Sequence, residues 1–305
     1  MKILICRCFG IGNAIMAIPM IRAIISVQPE SRIDLLIGNT SDDVGAWNVF
    51  SILRARLLNE WSGGLGIYIN EAKDVEYDLA ILAIPYDGRW MNGVHFRAKE
   101  VWDGRTRPDP STTGLMSWKK HEVEYQMENA NRLGYCGETP PIRFLTARSV
   151  DEQKFYLGVG YKKDAAGFWK IKHWGNERFA ALAQMILDDN PRNMIVTTGD
   201  MADVALSINP IFKLIKTNLR VRFYADSLDK SFQTVATSGW YVGNDTGMMH
   251  AAASFGNRVV AAFNLENSIV KSRPWCPPNQ YRALDGSKAP VTPEQMFAAV
   301  KELSI

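Results

Sequence analysis

The chain has 305 residues, a length that suits two domains of ordinary size better than one. Hydrophobic residues make up 47% and charged residues 22%, enough for a large core under a normal solvated surface, which excludes a disordered or low-complexity chain. The net charge is +3: residues 1–150 hold 17 Lys/Arg against 17 Asp/Glu and the remainder 18 against 15, so neither half is a basic arm that binds nucleic acid by charge alone.

Lys2 to Cys6 reads as an apolar strand, and the chain enters it without the charged start, long apolar stretch and cleavage site of a signal peptide. Gly10-Ile11-Gly12-Asn13 is a glycine-rich turn, and Ala14 to Val27 a helix with apolar residues at helical spacing. Pro19 is expected to kink that helix or to mark its effective start. Arg32 to Gly38 is a second strand, and Thr40 or Ser41 then caps another short helix. Asp78 to Ile84 is a continuous apolar run, as in a buried parallel strand. Pro85 to Ser117 lacks periodicity and reads as loop-rich. Within Tyr86 to Lys120, Arg89, Arg97, Lys99, Arg105, Arg107, Lys119 and Lys120 are interleaved with Trp90, Phe96, Trp102 and Trp118. That pattern fits a solvated loop with anchoring aromatics, or a surface for an anionic acceptor. Glu122 to Leu133 is a helix stopped by Gly134.

Thr139-Pro140-Pro141 through Asp151 marks a stiff linker and a domain boundary, dividing the chain into residues 1–145 and 146–305. A second α/β series follows. Strands are predicted at Phe155–Gly160, Met194–Thr198, Val221–Tyr224, Trp240–Gly243 and Arg258–Phe263. Helices are predicted from Asn176 to Asp189, Ala202 to Ile208, Leu228 to Thr237 and Met248 to Phe255, the last ended by Gly256. Thr292-Pro293-Glu294-Gln295 is a capping box that opens a final helix to about Leu303, expected at or across the interdomain region. Strand–helix alternation in both halves implies two doubly wound parallel sheets, with ligands at the carboxyl ends of the strands. Two such domains facing a central cleft make the GT-B architecture.

Cys6, Cys8, Cys136 and Cys276 include no CxxC pair and His is scarce, so the four read as reduced thiols of a cytoplasmic protein without a zinc site. No apolar run reaches the ~18 residues of a membrane helix, which leaves peripheral membrane contact open.

The strongest local signal is Val242-Gly243-Asn244-Asp245-Thr246-Gly247-Met248-Met249-His250, between a strand and a helix. A helix N-terminus with a small residue lets backbone N–H groups approach phosphate. Asp245 can bind N–H groups or a ligand hydroxyl, and His250 lies one turn on, on the side of Thr246 and Gly247. The same residues also fit an ordinary Asp/Thr cap beside a core histidine. The segment resembles the N-D-T-G-x-x-H-x-A-A signature of the ADP-heptose:lipopolysaccharide heptosyltransferases, glycosyltransferase family nine. Phe9-Gly10-Ile11-Gly12-Asn13 through Pro19 resembles that family's first loop and helix. His121-Glu122-Val123-Glu124 with Leu133-Gly134-Tyr135 resembles its helix before the linker. Lys172-His173-Trp174 with Glu177-Arg178-Phe179-Ala180 resembles its K-x-W-x-x-E-x-F-A segment.

The resemblance implies an inverting, metal-independent glycosyltransferase without a cofactor. It implies an ADP-heptose-like nucleoside-diphosphate sugar donor held by the second domain, and a hydroxyl acceptor, such as a glycan or lipid-linked saccharide, on the first. By the same resemblance Lys172 contacts donor phosphate, and Asp245, Thr246, Gly247 and His250 surround the sugar-diphosphate. Thr198-Gly199, with Asp203 as a ribose partner, falls where the nucleoside is gripped, and Asp226 near the base. One position departs: where the family has its presumed base, an Asp, this chain has Asn13, and an amide accepts no proton at neutral pH. Asp87, after the apolar strand, is the preferred substitute and His95 the second, although Asp87-Gly88 is also a turn signal. The departure also motivates a catalytically inactive nucleotide-sugar-binding protein. The basic-aromatic stretch permits the same chemistry on hydroxylated modified DNA. A GT-B epimerase or phosphorylase fits the motifs less well.

Overall fold

A computed structural model describes residues 1–6, 10–37, 43–57, 64–69, 71–83, 95–102, 119–145, 149–160, 172–200, 203–216, 219–224, 227–266 and 268–304. The chain divides into two compact units, Met1–Leu145 and Thr146–Ile305.

The first unit contains β1 (Lys2–Cys6), α1 (Ile11–Val27), β2 (Arg32–Ile37), α2 (Asp43–Leu57), β3 (Leu65–Ile69), β4 (Glu71–Leu82), β5 (His95–Trp102) and α3 (Glu122–Arg132). The strands form a parallel sheet in the order β3-β2-β1-β4-β5. The order reverses between β1 and β4, so the crevice of this sheet opens where Cys6 pairs with Leu82. The helix α1 is apolar on nearly every side and accordingly buried from Ala14 to Ile21, packing on α2 and α3. That packing carries the helix past Pro19, which neither starts nor ends it, against the ~3 kcal/mol an interior proline costs. His121 caps α3: its Nδ1 accepts from the Val123 N–H (3.1 Å), while the Glu124 carboxylate accepts from the His121 backbone N–H (2.7 Å). Gly134, at φ 95°, ends that helix.

A buried carboxylate organises the middle of this sheet. Asp34 is fully enclosed, and its oxygens accept from Arg32 Nε (2.9 and 3.1 Å), the Gly66 N–H (2.9 Å) and the Tyr77 hydroxyl (2.7 Å). Arg32 also reaches the Tyr68 hydroxyl. Burial and the Asp34 charge push the Tyr77 phenol well above its ordinary range, so it remains a donor. Gly66 is required because a Cβ there would lie 2.3 Å from Asp34 Oδ1.

The second unit contains β6 (Asp151–Gly158), α4 (Asn176–Asp189), β7 (Met194–Thr198), a π-turn (Val204–Ile208) running into α5 (Asn209–Leu214), β8 (Val221–Tyr224), α6 (Leu228–Ala236), β9 (Ser238–Asn244), α7 (Gly247–Phe255), β10 (Arg258–Phe263), α8 (Ser268–Ser272), β11 (Tyr281–Asp285) and α9 (Pro293–Leu303). Its parallel sheet runs β11-β10-β9-β6-β7-β8. The reversal lies between β6 and β9, and every residue of β9 is buried. Gly158 and Gly243 sit opposite each other in these two strands; a Cβ on Gly243 would lie 2.4 Å from the Gly158 carbonyl oxygen. The helix α9 opens on the expected capping box: Thr292 Oγ1 accepts from the Gln295 N–H (3.2 Å), and Gln295 Oε1 from the Thr292 N–H (2.8 Å). It packs on α4, β10 and β11 of its own unit. Cys6, Cys136 and Cys276 are free thiols, and burial pushes Cys276 up to about 12; Cys8 lies outside the described residues.

Several elements differ from the sequence reading. The segment after Thr40 holds a fifteen-residue helix instead of a short one. The expected loop from Pro85 to Ser117 contains β5, an edge strand with Arg97, Lys99, Glu100 and Val101 exposed and only Phe96, Ala98 and Trp102 partly buried. β3, β11 and α8 are not among the elements expected from the sequence. Among the described residues no helix is long and apolar enough to cross a membrane.

Two measurements check this packing. Gly243→Ala should destabilise the protein by about 3 kcal/mol in urea denaturation, because two backbones cannot separate without breaking the β6–β9 ladder. His173 is largely buried beside Ser207 Oγ (3.0 Å) and the Phe179 ring, and burial holds its pKa below the ordinary value. Protonation therefore favours the unfolded chain. Stability contributed at His173 is complete above the unfolded pKa of about 6.5 and is lost as pH falls through the lower folded value. Unfolding midpoints between pH 7.5 and 5 should fall, and His173→Phe should flatten that slope.

Candidate functional site

The carboxyl end of β9 is where the second unit gathers its polar side chains. The strand ends at Asn244, Asp245 follows, and Thr246 caps α7 with extended backbone (φ −134°, ψ 170°). Its hydroxyl makes no cap hydrogen bond; it lies 3.0 Å from the Tyr241 hydroxyl, which itself donates to the Asn244 carbonyl (2.7 Å). Gly247 is the first residue of α7, so backbone approaches here without an intervening side chain. His250 is buried one turn on.

Lys172 arrives from the other side of the sequence. Its Nζ donates to Asp245 Oδ2 at 2.6 Å, with side chains 17% and 6% exposed. The K-x-W spacing explains how a lysine outside any strand is held so closely. Trp174, fully enclosed, donates its indole N–H to the Val291 carbonyl (2.8 Å) and its backbone N–H to Asn244 Oδ1 (3.0 Å). Its ring packs edge-on against Phe179. Asn264, at the end of β10, donates to the Lys172 carbonyl (3.2 Å). Gly286 leaves room for that amide, since a Cβ there would lie 2.6 Å from Asn264 Oδ1. The Trp174 bond fixes which atom of Asn244 is oxygen, and its Nδ2 is buried with no partner among the described residues.

Thr198 and Gly199 lie at the carboxyl end of β7, the strand beside β6. The Thr198 hydroxyl is buried and bonded to the Tyr156 hydroxyl (2.7 Å), a phenol that burial pushes up to about 12. Asp203 is partly spent locally: it accepts from the Asp200 N–H (3.3 Å), and Asp200 accepts from the Asp203 N–H (2.9 Å). The structure thus brings Lys172 to Asp245, Thr246 and Gly247 at the reversal of the sheet, with Thr198 and Gly199 two strands away. Asp226 lies outside the described residues. Asn244, Tyr241 and Asn264 were missed in the sequence; Asn244 was visible as the first letter of N-D-T-G.

In the first unit Gly10, at φ 74°, caps α1, and Asn13 is that helix's third residue, at the carboxyl end of β1. The first turn of α1 holds no acidic residue. Asp87 lies outside the described residues. His95 is exposed at the amino end of β5, where it lines a cavity of about 600 Å³ with Lys73, Phe96 and Arg97; Asn13 is not part of that lining. Strand carboxyl ends form the crevice of a doubly wound sheet, so this position argues against His95 as the base. Among the described residues no group of three or more His, Cys, Asp or Glu is placed to hold a metal ion.

Residues 150–289 match the family described as glycosyltransferase family 9 (heptosyltransferase). A search by sequence against curated proteins gave no match. Among solved structures, the E. coli ADP-heptose lps heptosyltransferase II is similar at 18% identity and a TM-score of 0.67, over 99% of this chain and 98% of that one. The E. coli heptosyltransferase WaaC with ADP gives 14% identity and a TM-score of 0.72, over 99% and 100%. A glycosyl transferase family 9 protein from Veillonella parvula gives 14% and 0.67, over 99% and 96%. Those structures share the GT-B fold of two parallel-sheet units found here, and the family match falls within the second unit, at residues 150–289.

Proposed function

We propose that this glycosyltransferase moves a sugar, with inversion and without a metal, from an ADP-heptose-like nucleoside-diphosphate sugar to a hydroxyl of a glycan or lipid-linked saccharide. The observation that carries the reading is the convergence of Lys172 with Asp245 and the uncapped start of α7 at the reversal of the second sheet. A cation and a row of backbone N–H groups are what a departing diphosphate needs. The WaaC structures bound to ADP and to ADP-2-deoxy-2-fluoro heptose, alike in fold, support the choice of donor.

On this reading the diphosphate takes Lys172 from Asp245. Asp245 is then released toward the sugar, the Gly247 and Thr246 N–H groups and His250 meet the phosphates, and Thr198, Gly199, Asp203 and Asp226 surround the nucleoside. The acceptor oxygen forms a bond to the anomeric carbon as the carbon–oxygen bond to the diphosphate breaks, and the acceptor proton passes to a base. Residues 1–145 supply the acceptor side and 146–305 the donor side. Asn13 orients the acceptor hydroxyl and Asp87 takes its proton.

Lys172→Ala should weaken nucleoside-diphosphate binding by roughly 1.5–3 kcal/mol in calorimetry, the range of a charge-assisted contact, and unchanged affinity would sink the donor site. Turnover should survive a chelator. For the base, Asp87→Asn should lower turnover by about 10²–10⁴-fold with donor affinity nearly unchanged. Asn13→Ala should cost less, and Asn13→Asp should keep or raise the rate, because the first turn of α1 favours a carboxylate there. Wild-type turnover in Asp87→Asn would move the base elsewhere.

A further inference from the structure

Tyr241 takes no part in the proposed chemistry, yet the second unit is shaped around its hydroxyl. The side chain is fully buried in β9 and stacks on Tyr156, rings 5.9 Å apart and 19° from parallel. A Cβ on Gly158 would lie 2.1 Å from the Tyr241 oxygen, so the hydroxyl fills space that only a glycine in β6 leaves open. Its proton goes to the Asn244 carbonyl, which leaves the oxygen to accept from Thr246.

A threonine at a helix N-cap ordinarily turns its oxygen back onto the first turn. Two caps in this unit do so: Thr292 accepts from the Gln295 N–H (3.2 Å) and Ser227 from the Lys230 N–H (3.5 Å). Thr246 has the same extended backbone as those two but makes no such bond. Its hydroxyl is drawn to Tyr241 instead. The first N–H groups of α7 are then not claimed by the side chain best placed to claim them.

We propose that Tyr241 is a positioning residue for the donor diphosphate: by holding the Thr246 hydroxyl away from the cap, it keeps the start of α7 open to phosphate. The inference rests on the donor site proposed above. Without the phenol oxygen, Thr246 caps its own helix, and phosphate must displace that cap before it binds. A cap is worth about 1 kcal/mol, which corresponds to about a fivefold loss of affinity.

The test is a double-mutant cycle on the full chain, with calorimetric affinity for ADP, GDP, UDP and CDP as the readout and the tightest of the four carried forward. Tyr241→Phe keeps the ring and should lower affinity about fivefold, raising KM for donor while kcat stays close to wild type. In a Thr246→Val background, where no hydroxyl can cap, the same change should have no further effect. Thr246→Asn places a capping side chain beside an intact Tyr241 and should lower affinity as Tyr241→Phe does, so the inference can be tested even if the phenylalanine variant folds poorly. Wild-type affinity in Tyr241→Phe or in Thr246→Asn overturns it. So does an equal loss from Tyr241→Phe in both backgrounds, which would mark a merely structural role. Lys172→Ala run alongside separates the two readings. If Lys172→Ala loses affinity and the Tyr241 cycle is flat, only the present inference falls; if wild type binds none of the four nucleotides, the donor site falls and this inference with it.

Discussion

The buried indole of Trp174 is the point on which the candidate site depends. One residue ties three distant pieces of chain together: the segment carrying Lys172, the end of β9 through Asn244, and the approach to α9 through the Val291 carbonyl. Lysine has no means of holding itself beside a carboxylate, since its stem rotates freely and its ammonium is strongly hydrated. It is held here because its backbone has nowhere else to go, with Asn264 on its carbonyl and Trp174 two residues later sealed in the core. The Lys172–Asp245 ion pair is therefore a consequence of apolar packing and of hydrogen bonds to main chain. Its partners are mostly desolvated, so each is a poor group to lose singly and a ready one to exchange for a ligand's charge.

The two sheets follow the same winding rule but equip their crevices differently. In the second, strand-end residues bring opposite charges and an open helix start into one place. In the first, the strand β1 is followed by a glycine with positive φ and a neutral amide, Gly10 and Asn13. The first unit buries two carboxylates: Asp34, which is saturated by Arg32, Gly66 and Tyr77 and so serves the sheet, and Glu122 at the start of α3, which accepts from Gln126. A saturated buried carboxylate stiffens a core; a carboxylate meant for chemistry must keep an oxygen for its substrate. On the proposed reading, electrostatic stabilisation of the leaving group belongs to the second unit and proton removal to the first.

Much of this was legible in the sequence because it is local. The N-D-T-G run, the K-x-W spacing, the capping box at Thr292 and the strands Val221–Tyr224 and Arg258–Phe263 are set by neighbours a few residues apart, and the structure has them where the sequence puts them. Alternating strands and helices fixed the fold class for the same reason: burial on both faces of a parallel sheet writes itself as apolar runs. Elements failed to show where periodicity was weak, as in β5, whose exposed Arg97, Lys99 and Glu100 dilute its apolar pattern.

What the sequence determined by itself was which chemistry could be present: a lysine, a carboxylate and a glycine-led helix start, and an amide where a base would be needed. What only the tertiary structure decided was which of these meet. Lys172 and Asp245 are 73 residues apart; their motifs assign both to one donor, but only the folded chain pairs them directly. His95 stood beside an apolar strand in the sequence and proves to open an exposed edge strand with Lys73 and Arg97. Thr246 read as a cap, and its hydroxyl is turned aside by a tyrosine buried five residues earlier. Propensity acts through adjacent residues, whereas a site is assembled by strand order and by the few buried hydrogen bonds that the packing leaves no freedom to move.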